Sequence, residues 1–134
     1  MGKQIARVLF EKLVLVNSIL KREIIAANKK DIKTIVSSLG SKIDSAKALD
    51  DAWRNWLTMC CDTPEICAAI SMVIRIRIFE QLVELHQNFR SNYDALQQLY
   101  DEGCTSKAVR ESLFLVTPPP IEEAEVIHVK FGKR

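Results

Sequence analysis

The four cysteines have the most distinctive chemistry in this sequence, because thiols bind metals, form disulfides and act as nucleophiles. Cys60 and Cys61 are adjacent, Cys67 follows six residues later, and Cys104 stands apart. A zinc site usually takes paired ligands at a spacing such as C-x-x-C, which this arrangement lacks. We therefore expect no metal site and interpret the cysteines as reduced thiols on helix faces.

His86 is the strongest candidate for a general base, since Glu84 and Arg90 lie near it in the sequence. A single imidazole without a matched partner is, however, more typical of a half-exposed position at a helix edge. The adjacent acids at 50–51 and 101–102 diverge by about 100° on a helix and do not converge on one substrate. The sequence contains no phosphate-binding loop, nucleophile elbow or zinc-protease motif. We predict a protein that is not an enzyme, with no catalytic residue and no cofactor.

Charge is distributed unevenly along the chain, although 19 basic and 17 acidic residues give a net charge of only +2. Residues 1–33 carry eight basic and three acidic side chains, a net charge of +5, whereas residues 62–102 carry three basic and seven acidic ones, a net charge of −4. A basic patch near the end of the first third is suited to the phosphates of nucleic acid and, more weakly, to an anionic membrane surface. The candidate phosphate-binding residues are Lys21, Arg22, Lys29, Lys30 and Lys33.

The alternative for this basic patch is that it packs beside the acidic region 62–102, within one chain or across an interface. Phe10 is the only aromatic residue among residues 1–33. Binding of single strands usually involves stacking on aromatic side chains, so sequence-specific recognition of nucleic acid is not indicated.

Apolar residues repeat at helical spacing over most of the chain. A first helix over 3–27 has more apolar residues than one buried face needs, so we expect it to lie centrally or to meet a partner. We predict a second helix over 32–39 that ends at Gly40, because glycine favours the left-handed end of a helix. The alternative is that this helix continues the first one. A third helix runs over 41–61. A strand over 13–16 is the alternative for part of the first helix.

A fourth helix begins at the sequence Asp62-Thr63-Pro64-Glu65, because proline is favoured at the first helical position. One apolar stripe continues to Phe89 and a second to Val83, which indicates burial on two sides. The strict alternation over 73–79 leaves a strand as the alternative there. A capping box at 91–94 predicts a fifth helix, or the kinked end of the fourth, which ends at Gly103.

A short last helix, capped by Thr105 or Ser106, must end before the triple proline at 118–120. Beyond it the apolar residues alternate with polar ones, which is the pattern of a strand following a stiff spacer. This strand would pair with another chain, because an all-helical domain offers it no neighbour. The candidate partner-binding residues of this tail are Ile127, Val129 and Phe131.

Trp53 and Trp56 lie three residues apart on one face of the third helix and form a second candidate partner-binding site. A tryptophan pair on an apolar stripe is more often part of the core.

The sequence as a whole predicts an all-α protein: an antiparallel helical bundle of five or six helices over residues 1–117, with an extended C-terminal tail over 118–134. We expect a non-enzymatic interaction or assembly module that self-associates or docks into a larger protein complex. The alternative is a small nucleic-acid-binding protein that grips phosphates without sequence specificity. No apolar run is long enough to span a membrane, and no secretory signal precedes the cysteines, so we expect an intracellular, cytoplasmic location.

Overall fold

The computed structural model describes residues 2–104, 106–113 and 118–119, and within them it contains five helices and no strand. The prediction of an all-α protein is confirmed, and the number of helices falls within the predicted range. The segments 13–16 and 73–79 are helical, so the two strand alternatives are wrong. Ile127, Val129 and Phe131 lie outside the described residues. The helices are α1 (Gly2–Asn28), α2 (Ile32–Asp62), α3 (Pro64–Ala68), α4 (Met72–Asp101) and α5 (Lys107–Ser112).

The turn between α1 and α2 follows the hydrogen-bond pattern of a left-handed helix terminus. Lys30 has a φ of 58°, and its N–H donates to the Ala27 carbonyl over 3.0 Å. The Asp31 N–H donates to the Ala26 carbonyl over 2.8 Å, which completes the Schellman motif. The Asp31 side chain then accepts from the Thr34 N–H and caps α2, so α1 and α2 are separate helices.

Gly40 does not end a helix, and the predicted break there is wrong. The α2 helix passes through Gly40 without a positive φ, and a Cβ placed on this glycine would meet no atom within 4 Å. A glycine ends a helix only when the backbone turns into the left-handed region, and an exposed glycine inside a helix costs only about 1 kcal/mol.

Pro64 begins a helix as predicted, but this helix is short, and it is followed by a helix break that was not predicted. α3 ends at Ala68, and α4 starts at Met72 with Ser71 as its cap, whose hydroxyl accepts from the Val73 N–H over 3.2 Å. The predicted separate helix starting at 91–94 is wrong. The alternative assigned this segment to the end of the preceding helix, and α4 does continue through it to Asp101. α5 begins after Ser106, one of the two predicted cap residues.

The first helix lies between the two other long helices. α1 packs against both α2 and α4, and its contacts with α4 advance along both helices, from Asn17 with Gln81 to Lys30 with Glu102. α1 and α4 therefore run in the same direction, and contacts on two sides account for part of the wide apolar surface of α1.

The apolar core is divided into two clusters. The larger one joins α1, α2, α3 and α4, and the smaller one lies near the α1–α2 turn, where α5 packs against α2 and α4. Buried members of the larger cluster include Leu9, Leu13, Trp53, Leu82 and Leu85; those of the smaller cluster include Ile35, Leu96, Leu99, Val109 and Leu113.

Candidate partner-binding groove

An open groove separates the first turns of α1 from the first turns of α4. Its volume is about 430 Å³, and Phe10 and Ile74 supply its apolar surface. Lys3, Arg7 and Arg77 line the same groove, so three cations surround an apolar floor. Such a combination fits a ligand that carries both negative charge and apolar groups.

Arg7 is held on one side of this groove by two neighbours on its own helix. Its Nη2 donates to Gln4 Oε1 over 3.1 Å, and its Nε lies 3.7 Å from Glu11 Oε1. The Arg7–Glu11 pair is exposed, and such pairs are worth little because water and salt screen them. Arg7 therefore remains able to exchange Glu11 for the carboxylate of a partner.

Several large apolar side chains are exposed on the outer surfaces of α1 and α4. Val14, Leu15 and Ile25 are at least 41% exposed on α1, and Val73 and Ile76 are 56% and 38% exposed on α4. Isolated apolar residues are common on protein surfaces, but these lie on the same two helices that form the groove. The apolar excess that the sequence indicated in these two helices is therefore only partly buried within one chain.

The predicted basic patch is partly neutralised within the chain. Lys21 forms an ion pair with Glu84, and Lys30 Nζ lies 3.3 Å from Glu102 Oε2, so both lysines link α1 or its terminal turn to α4. Hydrogen bonds from Gln98 and, to a smaller degree, from Lys30 lower the pKa of Glu102. The basic first third thus packs beside the acidic region 62–102, as the alternative interpretation predicted.

The other three members of the basic patch keep their exposure. Arg22, Lys29 and Lys33 are exposed, and none forms an ion pair with a carboxylate among the described residues. A phosphate-binding surface here would therefore rest on three cations instead of five.

Trp53 and Trp56 are part of the core and do not form a surface anchor. Their side chains are 6% and 3% exposed, and both belong to the larger apolar cluster. The expectation that they bind a partner is corrected by this burial, because an anchoring residue must present its ring to the partner.

His86 has a backbone partner instead of a catalytic one. Its Nε2–H donates to the Pro119 carbonyl over 2.5 Å, which ties the start of the predicted tail to α4. This contact occupies Nε2, so a base at His86 would have to act through Nδ1. Within the described residues, no three side chains of His, Cys, Asp or Glu are grouped closely enough to hold a metal ion.

A buried polar cluster that the sequence analysis missed joins four helices. Lys42 on α2 is 2% exposed, and its ammonium group lies 2.6 Å from Glu23 Oε1 on α1. It also donates to Asn92 Oδ1 on α4 over 3.1 Å and to the hydroxyl and carbonyl oxygens of Ser112 at the end of α5, over 2.7 and 2.9 Å. We call these four residues the buried polar layer.

The members of the buried polar layer also bond to one another. The Ser112 hydroxyl lies 3.0 Å from both carboxylate oxygens of Glu23, and Asn92 Nδ2 donates to Glu23 Oε1 over 3.0 Å. Burial lowers the pKa of Lys42, and the Glu23 carboxylate opposes this effect. A buried charge is tolerated when its hydrogen-bonding capacity is satisfied, as it is for both partners here.

The buried polar layer could have been predicted from a heptad spacing in the sequence. Lys42 lies seven residues after Ile35 and seven before Leu49, and Asn92 lies seven residues after Leu85 and seven before Leu99. Positions seven apart share a helix face, so these polar residues occupy core positions. The cluster is closed to solvent, and we assign it a structural role.

Protein-family models, curated proteins and solved structures were each compared with the chain, and none matches it. Within the described residues, no helix combines the length and the hydropathy needed to cross a bilayer.

Proposed function

We propose that this protein is a non-enzymatic helical interaction module that self-associates or docks into a larger protein complex. In this proposal the helices over 1–117 form one bundle, in which α1 and α4 are the parallel pair, and the tail over 118–134 extends from it to bind a partner. The groove between α1 and α4 carries the proposal, because it combines an apolar floor with three cations, and both of its helices carry exposed apolar side chains.

The charge of the groove selects the chemistry of its occupant. Lys3, Arg7 and Arg77 favour a segment that carries several carboxylates, and Phe10 and Ile74 favour one that also carries aliphatic side chains. The sequence Ile-Glu-Glu-Ala-Glu-Val at 121–126 has both properties, with three acids among six residues. We propose that this segment of a second copy of the chain occupies the groove.

A charge-swap experiment on the full chain tests this docking. The groove variant Arg7→Glu/Arg77→Glu and the tail variant Glu123→Lys/Glu125→Lys should each weaken self-association, because each places like charges together. An equimolar mixture of the two variants should recover it, since each groove then meets a tail of opposite charge. Sedimentation velocity and light scattering over a concentration series measure the mass. Arg90→Glu, an exposed change on α4 outside the groove, is the matched control.

Other results would contradict the proposal. A chain that stays monomeric over the concentration series, or one whose mass does not depend on residues 118–134, would exclude docking of this tail. A complex that forms only with added RNA or DNA, and dissociates steeply as salt rises, would favour the nucleic-acid alternative through Arg22, Lys29 and Lys33.

A further inference from the structure

Two buried cysteines are in contact at the junction between α2 and α3. Cys60 lies in the last turn of α2, Cys67 lies in α3, and their Sγ atoms are 2.9 Å apart. Both residues are buried, and Cys67 is completely inaccessible. The helix break at Thr63 and Pro64 brings the side chains of two residues seven positions apart into contact.

A buried cation lies near this pair. Arg75 on α4 is 7% exposed, and its Nε and Nη1 have no hydrogen-bond partner among the described residues. Burial and the neighbouring Cys67 thiol raise the pKa of Cys60, whereas the charge of Arg75 opposes this rise. Cys60 is therefore protonated at rest, and the charge of Arg75 favours its thiolate.

We propose that Cys60 and Cys67 are a reversible redox modification site, which a small-molecule disulfide converts into an intramolecular disulfide. In the first step one cysteine loses its proton, and its thiolate attacks the reagent, forms a mixed disulfide and releases one reagent thiol. In the second step the other cysteine, also deprotonated, attacks the protein sulfur of the mixed disulfide and releases the second reagent thiol. The protein loses two protons and two electrons, and the reagent takes up both.

Opening of α3 gives the reagent access to the buried pair. α3 has only five residues, and a helix this short depends on its packing for stability. Cys61 is exposed beside Cys60 and is the competing site for the same reagent. No step of this exchange requires the α1–α4 groove, so it can occur whether or not the proposed docking does.

Exchange with oxidised glutathione tests the site in the folded full chain. The variant Cys61→Ser/Cys104→Ser keeps only Cys60 and Cys67 and should lose two hydrogens in intact mass. Its peptide map should contain one cross-link, between the peptides that carry Cys60 and Cys67. The oxidised form should unfold at a temperature several degrees higher, because the bond restricts the unfolded chain. Adding a dithiol reductant should reverse both changes.

Two controls make the result decisive. Adding Cys67→Ser to this variant should leave a single glutathione adduct and no cross-link. The wild-type chain, mapped in the same way, should contain the same Cys60–Cys67 cross-link, so the result does not depend on the folding of any variant. Adducts confined to Cys61, cross-links between two chains, or a Cys60–Cys67 bond that forms only in denaturant would overturn the proposal.

Discussion

Lys42 illustrates how a single residue constrains several helices at once. Its ammonium group contacts acceptors on α1, α4 and the end of α5 from its own position on α2. Removal of water from the charge is costly, and the contact with Glu23 offsets that cost only with the present geometry. A slip of any of these helices along its axis would leave charges buried without partners, so the buried polar layer favours one register.

We expect Lys42→Met to destabilise the protein by about 3–5 kcal/mol, because it leaves Glu23 as an unpaired buried charge. The double variant Glu23→Leu/Lys42→Met removes both charges and should lose less stability than Lys42→Met alone. Urea unfolding followed by circular dichroism gives the free energies of unfolding. Lys47→Met, an exposed change on the same helix, is the matched control. A loss below about 1 kcal/mol for Lys42→Met would contradict this role.

At the scale of the element, two glycines that look alike in the sequence differ in the structure. Gly40 lies inside α2 with a negative φ, whereas Gly103 follows α4 with a φ of 98°. The Gly103 N–H donates to the Tyr100 carbonyl over 3.1 Å, and the Cys104 N–H donates to the Leu99 carbonyl over 3.2 Å. These bonds form a Schellman motif, which requires a left-handed residue at Gly103 and has no counterpart at Gly40.

Substituting each glycine with alanine should therefore change stability in opposite directions. Gly40→Ala should stabilise the protein by about 0.5–1 kcal/mol, because alanine restricts the unfolded chain and its Cβ has open space. Gly103→Ala should destabilise it by about 1–2 kcal/mol, because an L-residue is strained at positive φ. Thermal unfolding of both variants beside the wild type measures the two effects. A shift of the same sign for both would show that the backbone conformation does not decide the outcome.

The patterns that were predicted correctly are those set by local chemistry. Helical spacing of apolar residues and the proline at 64 are local signals, and the structure has helices there. The break before α4 was missed because Ser71 gives only a weak capping signal. The break at Gly40 was predicted wrongly because the sequence does not show the φ angle of this glycine. The polar residues of the core were missed because each lies among apolar neighbours whose partners come from other helices.

The groove could be predicted from the sequence only in part. The apolar excess of the first and fourth predicted helices indicated surfaces beyond one buried face, and the structure exposes Val14 and Val73 on them. The side chains that line the groove come from residues more than sixty positions apart. Their meeting depends on the parallel packing of α1 against α4, which periodicity within one helix does not specify.

For the whole molecule, the near-neutral net charge results from two opposed regions that pack together. The ion pairs of Lys21 with Glu84 and Lys30 with Glu102 connect the basic first third to the acidic region 62–102. Both pairs have an exposed lysine, so each contributes little stability by itself. Their positions along α1 and α4 nevertheless agree with the parallel direction of the two helices. Of the three groove cations, Arg7 alone has a carboxylate partner among the described residues, Glu11.

The buried polar layer also separates two apolar clusters of unequal size. Along α1, Glu23 lies between Leu20 of the larger cluster and Ala26 of the smaller one. Along α2, Lys42 lies between Ile35 of the smaller cluster and Leu49 of the larger one. Along α4, Asn92 lies between Leu85 of the larger cluster and Leu96 of the smaller one. Among the described residues, the larger cluster has 16 buried members and the smaller one has seven, so we expect less apolar surface to be exposed when the smaller part opens.

Native-state hydrogen exchange should therefore show two levels of protection. The amides of Leu13 and Leu82 should exchange with the free energy of global unfolding, and those of Ile35, Leu96 and Leu99 should exchange through a smaller opening at lower free energy. Exchange followed by two-dimensional NMR over a series of low denaturant concentrations measures both. Lys42→Met should lower the protection of the smaller cluster more than that of the larger one, because α5 is attached to α1 through the buried polar layer. If both clusters have equal protection, and Lys42→Met lowers the protection of both by the same amount, the chain opens as one cooperative unit.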